Sequence, residues 1–130
     1  MLLLAPLASS ACGSDNPTTP TEPTPVSVTE SFNGTLNPNG GRTFPFAVER
    51  AGTITARIAA LAPDDTVRVG LALGTWNGAT CTQTIPNDNA TLNTTVTGTA
   101  QQTGQFCARI YDALGTLTGS ADFTLEVTHF

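Results

Sequence analysis

No lysine occurs in this chain, and its five basic residues are all arginine, set against ten acidic ones. The net charge of −5 is thinly spread, since only 12% of the residues are charged. A surface of this kind has no basic stripe to release counterions from a phosphate backbone, so nucleic acid is excluded as a partner. An anionic membrane surface finds nothing to attract either. Histidine is almost missing: His129, next to the last residue, is the single one, and no serine or thiol is paired with it by a recognised spacing. HExxH, Gly-x-Ser-x-Gly and a phosphate-cradling glycine loop are absent from the sequence.

Carboxylates remain to be considered. Asp64, Asp65, Asp88 and Asp112 are the residue type for a glycosidase pair. They fall in turn-like segments, however, where Asp is expected for its local hydrogen bonds. Asp64, Asp65, Asp112 and Glu49 near predicted strand ends are also what a hard cation binds, but no spacing here resembles a calcium loop. The reading is therefore a non-enzyme, with no metal and no cofactor.

Long apolar runs are lacking as well. The stretch Leu2 to Ala8 is far short of the roughly 20 residues that span a bilayer. It is followed by Ser9, Ser10, Ala11 and then Cys12, the order of an apolar export signal with a small-residue cleavage site. With a cysteine directly after the small residues, the segment resembles the lipobox of bacterial lipoproteins. That resemblance implies that Cys12 becomes the acylated N-terminus and anchors the chain in the cell envelope, at the outer membrane or cell surface. Ser9 stands where leucine is usual, and no basic residue precedes Leu2. A plain cleaved secretion signal with an incidental Cys12 is the alternative, and a cytoplasmic chain is the third.

Residues 1–11 are thus read as the signal peptide and residues 12–30 as anchor and tether. From Gly13 to Glu30 the composition is mostly Pro, Thr, Ser, Asp and Glu, which offers too little to bury to repay ordering. In polyproline-like form such a stretch reaches roughly 55 Å at about 3.1 Å per residue, enough to hold a domain off a membrane. Cysteine arithmetic agrees. Three cysteines are an odd number; with Cys12 acylated, Cys81 and Cys107 are left as one disulfide in an oxidising compartment. Two thiols and one histidine at scattered positions match no zinc spacing.

The remainder, residues 31–130, alternates with period two. Phe44, Phe46 and Val48 form one such set, Ile54, Ala56, Ile58 and Ala60 a second, Val67, Val69, Leu71 and Leu73 a third, and Phe123, Leu125 and Val127 a fourth. This is the pattern of half-buried antiparallel strands. Turn signals separate the runs: NPNGG, ERAG, APDD, WNGA, PNDN and LGTLTG, with Asn77-Gly78 the strongest for a tight hairpin. The expected fold is all-β, an antiparallel β-sandwich of about seven to eight strands, with an open barrel as the runner-up.

The segments FNGTLNPNGGRTFPFAVERAGTITARIAAL, GQFCARIYDALG and ADFTLEVTH are similar to bacterial pre-peptidase C-terminal-like β-sandwiches. The acidic, aromatic strand typical of mid-domain in that family is replaced here by TVRVGLAL. The resemblance implies a non-catalytic module of the kind that accompanies secreted enzymes.

One face stands out. Opposite Val67, Val69, Leu71 and Leu73 lie Arg68, Gly70, Ala72, Gly74 and Trp76, while QFCARIYD sets Cys107, Arg109 and Tyr111 on one side. If the two strands are neighbours, Trp76, Tyr111, Arg68 and Arg109 line a shallow trough floored by small residues, suited to a polysaccharide or to a protein partner. Alternatively, the glycines are there because another segment packs on them. The expected function is a membrane-anchored binding or interaction module for a polysaccharide or an envelope protein. The alternative is an accessory subunit of a larger cell-surface assembly with no ligand of its own.

Overall fold

The computed structural model describes residues 26–130. Cys12 and most of the anchor and tether segment lie outside the described residues. Eight strands follow one another: β1 (Val28–Leu36), β2 (Gly41–Val48), β3 (Gly52–Ala62), β4 (Val69–Trp76), β5 (Cys81–Ala90), β6 (Thr95–Ala100), β7 (Gly104–Tyr111) and β8 (Ala121–His129). They form two four-stranded sheets, the first in the order β1-β8-β3-β6 and the second β2-β7-β4-β5. Every pairing is antiparallel.

The topology follows from one nested ribbon. β1 pairs with β8, β2 with β7, β3 with β6 and β4 with β5, so the chain folds back on itself about the turn at Asn77–Thr80. Wrapping that ribbon brings β3 against β8 and β4 against β7. The result is the eight-stranded double-sheet jelly roll, a particular member of the β-sandwich class that the alternation predicts.

Inward residues of the two sheets meet in one core, with Leu36, Ile58, Val69, Leu71, Ile110 and Leu125 fully buried. At about 25 cal/mol per Å² of apolar surface removed from water, each such side chain contributes roughly 1.5–3 kcal/mol. One seam between the sheets, at β1 and β2, is closed by aromatic packing. Phe32 stacks on Phe44 at 5.0 Å, and Phe44 meets Phe123 edge-on at 5.8 Å. His129 ends β8 with its ring turned inward, 3% exposed, and stacks on Phe46 at 5.0 Å. Its Nε2 lies 2.5 Å from Glu30 Oε2 and its Nδ1 3.0 Å from the Phe130 carbonyl oxygen. The single histidine closes one end of the core.

Three details differ from the sequence reading. Ala60 is exposed rather than buried, because a bulge between Ile58 and Ala60 shifts the phase and Leu61 takes the inward place. The bulge is held by the β5–β6 turn, where Asn93 donates its N–H to the Ile58 carbonyl at 2.8 Å and Ile58 donates to Thr94 at 3.1 Å. PNDN is no turn; it lies within β5, where a proline is tolerated because the strand is at a sheet edge and one side of its backbone is free. Finally, β1 begins at Val28, so residues 28–30 belong to the domain and not to the tether. Glu30 pairs in register with Val127 and Phe32 with Leu125, which extends the alternation upstream.

Candidate functional site

The strands carrying the predicted face are neighbours. β4 lies between β7 and β5, with Gly70 opposite Tyr111, Ala72 opposite Arg109 and Gly74 opposite Cys107. Alternation along β7 therefore brings Cys107, Arg109 and Tyr111 to the outer face of the second sheet.

The floor of small residues is not an open trough. The Tyr111 ring lies on Gly70, so closely that a Cβ there would sit 2.3 Å from ring carbons. At Gly74 the backbone of β5 folds over, and a Cβ would sit 2.1 Å from the Thr82 carbonyl oxygen. A register shift between Leu73 and Gly74 permits this approach. The two glycines are present for close packing, and β4 is buried on both faces over Val69–Gly74. The Cys81–Cys107 disulfide, with Cα atoms 5.9 Å apart, ties the folded-over start of β5 to β7.

What stays open is a depression of about 620 Å³ between Trp76 and Arg109, lined also by Thr43, Thr80, Cys81 and Gln83. Trp76 sits at the end of β4, just before the β4–β5 hairpin, and is half-buried. The hairpin is a four-residue loop in which Asn77 Oδ1 accepts from the N–H of Ala79 and of Thr80, both at 2.8 Å. Gly78 supplies a φ of 98° there, a conformation that glycine adopts without steric cost. A bonded turn and a disulfide thus fix the strand end that carries Trp76.

Arg109 lies flat. Its guanidinium is 5.0 Å from the Tyr111 ring centroid, and Gly41 on β2 leaves the space, since a Cβ there would be 2.4 Å from Arg109 Nη2. Tyr111 does not line the depression; its hydroxyl donates to Asp88 Oδ1 at 2.5 Å. Arg68 is exposed and bonds Asn89 Oδ1 at 3.0 Å, also away from the depression. Of the four predicted residues, Trp76 and Arg109 come together at an open surface, Tyr111 backs Arg109, and Arg68 stands apart. Gly41, Thr43, Gln83 and Asp88 were not singled out for this face. Period-two alternation gives faces, but only strand order tells which strands share them.

The Tyr111–Asp88 contact has a measurable consequence. Partial burial and then the Asp88 carboxylate, through its hydrogen bond and its charge, push the Tyr111 hydroxyl up to about 12, with Arg109 opposing. The neutral form is favoured in the folded state, so this contribution to stability is present below about pH 10, the unfolded value. It is lost as pH rises toward 12. The chain has one tyrosine, so phenolate absorbance reads this group alone. Its midpoint is expected near 12 in the native protein, lower with Asp88→Asn because burial alone then remains to raise it, and near 10 after unfolding; a native midpoint of 10 would contradict the contact.

Two further acidic candidates, Asp64 and Asp112, accept backbone hydrogen bonds. Asp64 Oδ1 accepts from the Thr66 N–H at 2.8 Å and from its hydroxyl at 2.5 Å. These two bonds lower the carboxyl below its ordinary value. Asp112 accepts from the N–H of Asn39 at 2.9 Å and of Thr116 at 3.2 Å, joining the β1–β2 turn to the β7–β8 loop. Among the described residues, no group of three or more His, Cys, Asp or Glu is placed to hold a metal ion.

No protein-family model matches the chain, and no curated protein matches it in sequence. Solved structures do resemble it in fold. The mitogen YPM of Yersinia pseudotuberculosis superposes with a TM-score of 0.61 at 14% identity, covering 81% of this chain and 88% of that one. PliG of Aeromonas hydrophila, a periplasmic inhibitor of g-type lysozyme, superposes with a TM-score of 0.55 at 13% identity, covering 76% and 83%. At these identities the likeness is one of fold.

Proposed function

We propose that this chain is a non-catalytic binding module of the bacterial cell envelope, anchored through Cys12, that holds a polysaccharide or an envelope protein around Trp76 and Arg109. The observation that carries the reading is the pairing of the chain's single Trp with an Arg backed by Tyr111 at an open depression beside a disulfide. Aromatic and guanidinium groups held rigidly lose little entropy on binding and dominate interface energetics. A fold shared with a periplasmic inhibitor supports a binding role over a catalytic one. The only histidine closes a core end, so the described residues offer no general base of that type at the depression.

The test is retention from envelope extract by the oxidised full chain, with proteins and sugars both analysed. Trp76→Ala is expected to weaken retention by roughly 30-fold, as loss of about 2 kcal/mol at a hot spot implies, while the melting temperature changes little. Retention unaltered by Trp76→Ala, or no retained material at all, would remove this face from consideration.

A further inference from the structure

The two seams of the jelly roll are closed differently. At the β5–β6 seam no aromatic pair joins the sheets. Ile85, 36% exposed, reaches across to Gly98, where a Cβ would sit 2.8 Å from Ile85 Cδ1. Beside that contact a crevice of about 350 Å³ opens between the sheets. Its walls include Ile54, Leu73, Ile85 and Phe106, and Gln101 and Gln102 line it as well. None of its lining residues is charged, in a protein whose net charge is −5.

The crevice adjoins an unprotected sheet edge. β6 is the last strand of the first sheet and pairs only with β3, so one side of its backbone has no strand partner. Natural edges are blunted by proline, charge or bulges. In the second sheet both edges carry such devices: β2 contains Pro45, and β5 contains Pro86 and two register shifts. β6, with the sequence TVTGTA, has none of them. Gly98 and Thr99 belong both to this edge and to the crevice.

We infer that the free edge of β6 accepts an extended, uncharged segment of a partner protein as an added strand, with one bulky apolar side chain of that segment seated in the β5–β6 crevice. An added strand would lie about 4.8 Å from β6 and point alternate side chains toward the interior. Main-chain bonds supply affinity in this mode and a side-chain pocket supplies selectivity. A second copy pairing through β6 is a poor occupant, because its inward residues would be Val96, Gly98 and Ala100, with nothing large enough to fill the space. A charged side chain would enter unpaired, which is costly. This site is separate from the Trp76 depression and does not depend on it.

The probe is an acetylated, amidated heptapeptide, Thr-Leu-Thr-Phe-Thr-Leu-Thr, titrated into the full ¹⁵N-labelled chain. Expected are shifts confined to β6 and the crevice residues, with slowed exchange of β6 amides. Replacing the central Phe by Asp, or methylating alternate peptide nitrogens, should each weaken binding at least 10-fold. On the protein side, Ile85→Asp and the exposed pair Gln101→Glu and Gln102→Glu should do the same, the latter without loss of fold, whereas Trp76→Ala should not. Absence of β6 shifts, equal binding of the N-methylated peptide, preference for decanoate over the peptide, or self-association through β6 would each overturn the inference.

Discussion

Replacing Cys81 and Cys107 together by alanine is expected to cost about 3–4 kcal/mol of stability. The bridge closes a loop between positions 26 apart in sequence, and chain-entropy estimates for a loop of that length give about that value. It joins β5 to β7 across the strand that lies between them, so without it the folded-over start of β5 is held by ladder bonds and the Asn77 turn alone. For a domain of this size, the melting temperature should fall by roughly 12–30 °C, at about 4–8 °C per kcal/mol. Urea denaturation of the double variant, and of the native protein with and without reductant, measures this. A loss under about 1 kcal/mol with an unchanged slope would mean that the bridge restrains little. Trp76, opposite Cys81 in the ladder, is the single tryptophan and reports any local opening by its emission.

Gly74→Ala should be nearly as damaging, although it adds one methyl group. The new Cβ would meet a backbone oxygen, Thr82 O, at 2.1 Å, and a backbone atom in a paired strand cannot rotate aside. Overpacking typically costs 1–3 kcal/mol, and this site is expected at the upper end. Gly119→Ala is the control, since nothing lies within 4 Å of its Cβ position and its φ is not positive; a surface change of that kind stays within about 0.5 kcal/mol. The two perturbations share one cause, the closure of β5 onto β4. In the disulfide-free background β5 can move away, so the cost of Gly74→Ala should drop by at least about 1 kcal/mol, a non-additivity expected of coupled sites. Strict additivity in that double-mutant cycle would show that the bridge and the close approach are independent.

Much of the fold is legible in the chain because period-two alternation is a local property. Phe46 and Val48, Ile54, Ala56 and Ile58, Leu71 and Leu73, and Phe123, Leu125 and Val127 all face the core as the pattern requires. The disulfide follows from the count of cysteines, and the hairpin at Asn77-Gly78 from turn chemistry. The failures have specific physical causes. The bulge after Ile58 changes the phase by one residue, and nothing in IAALA announces it; it exists because the Asn93 turn, 35 positions away in sequence, bonds into it. PNDN has turn composition but sits on an edge strand, where Pro and Asn are tolerated.

The candidate face shows the same division. Alternation puts Arg109 and Tyr111 on one side of β7, and Gly70 and Gly74 on one side of β4. Which strands lie beside each other is set by how the nested ribbon wraps, a long-range event. That wrap turns the small residues from a trough floor into seats for the Tyr111 ring and the β5 backbone. It leaves Trp76 and Arg109 at an open surface and moves Arg68 out of the group.

By itself the sequence determined an all-β domain with two apolar strand faces, a single disulfide and a surface without basic patches. These depend on composition, spacing and side-chain period, which need no knowledge of neighbours. Only the tertiary structure decided the jelly-roll order, the covering of Gly70 and Gly74, and the crevice beside the unprotected edge of β6. Each of these is a contact between residues far apart in the chain, and period-two patterning carries no information about which strand faces which.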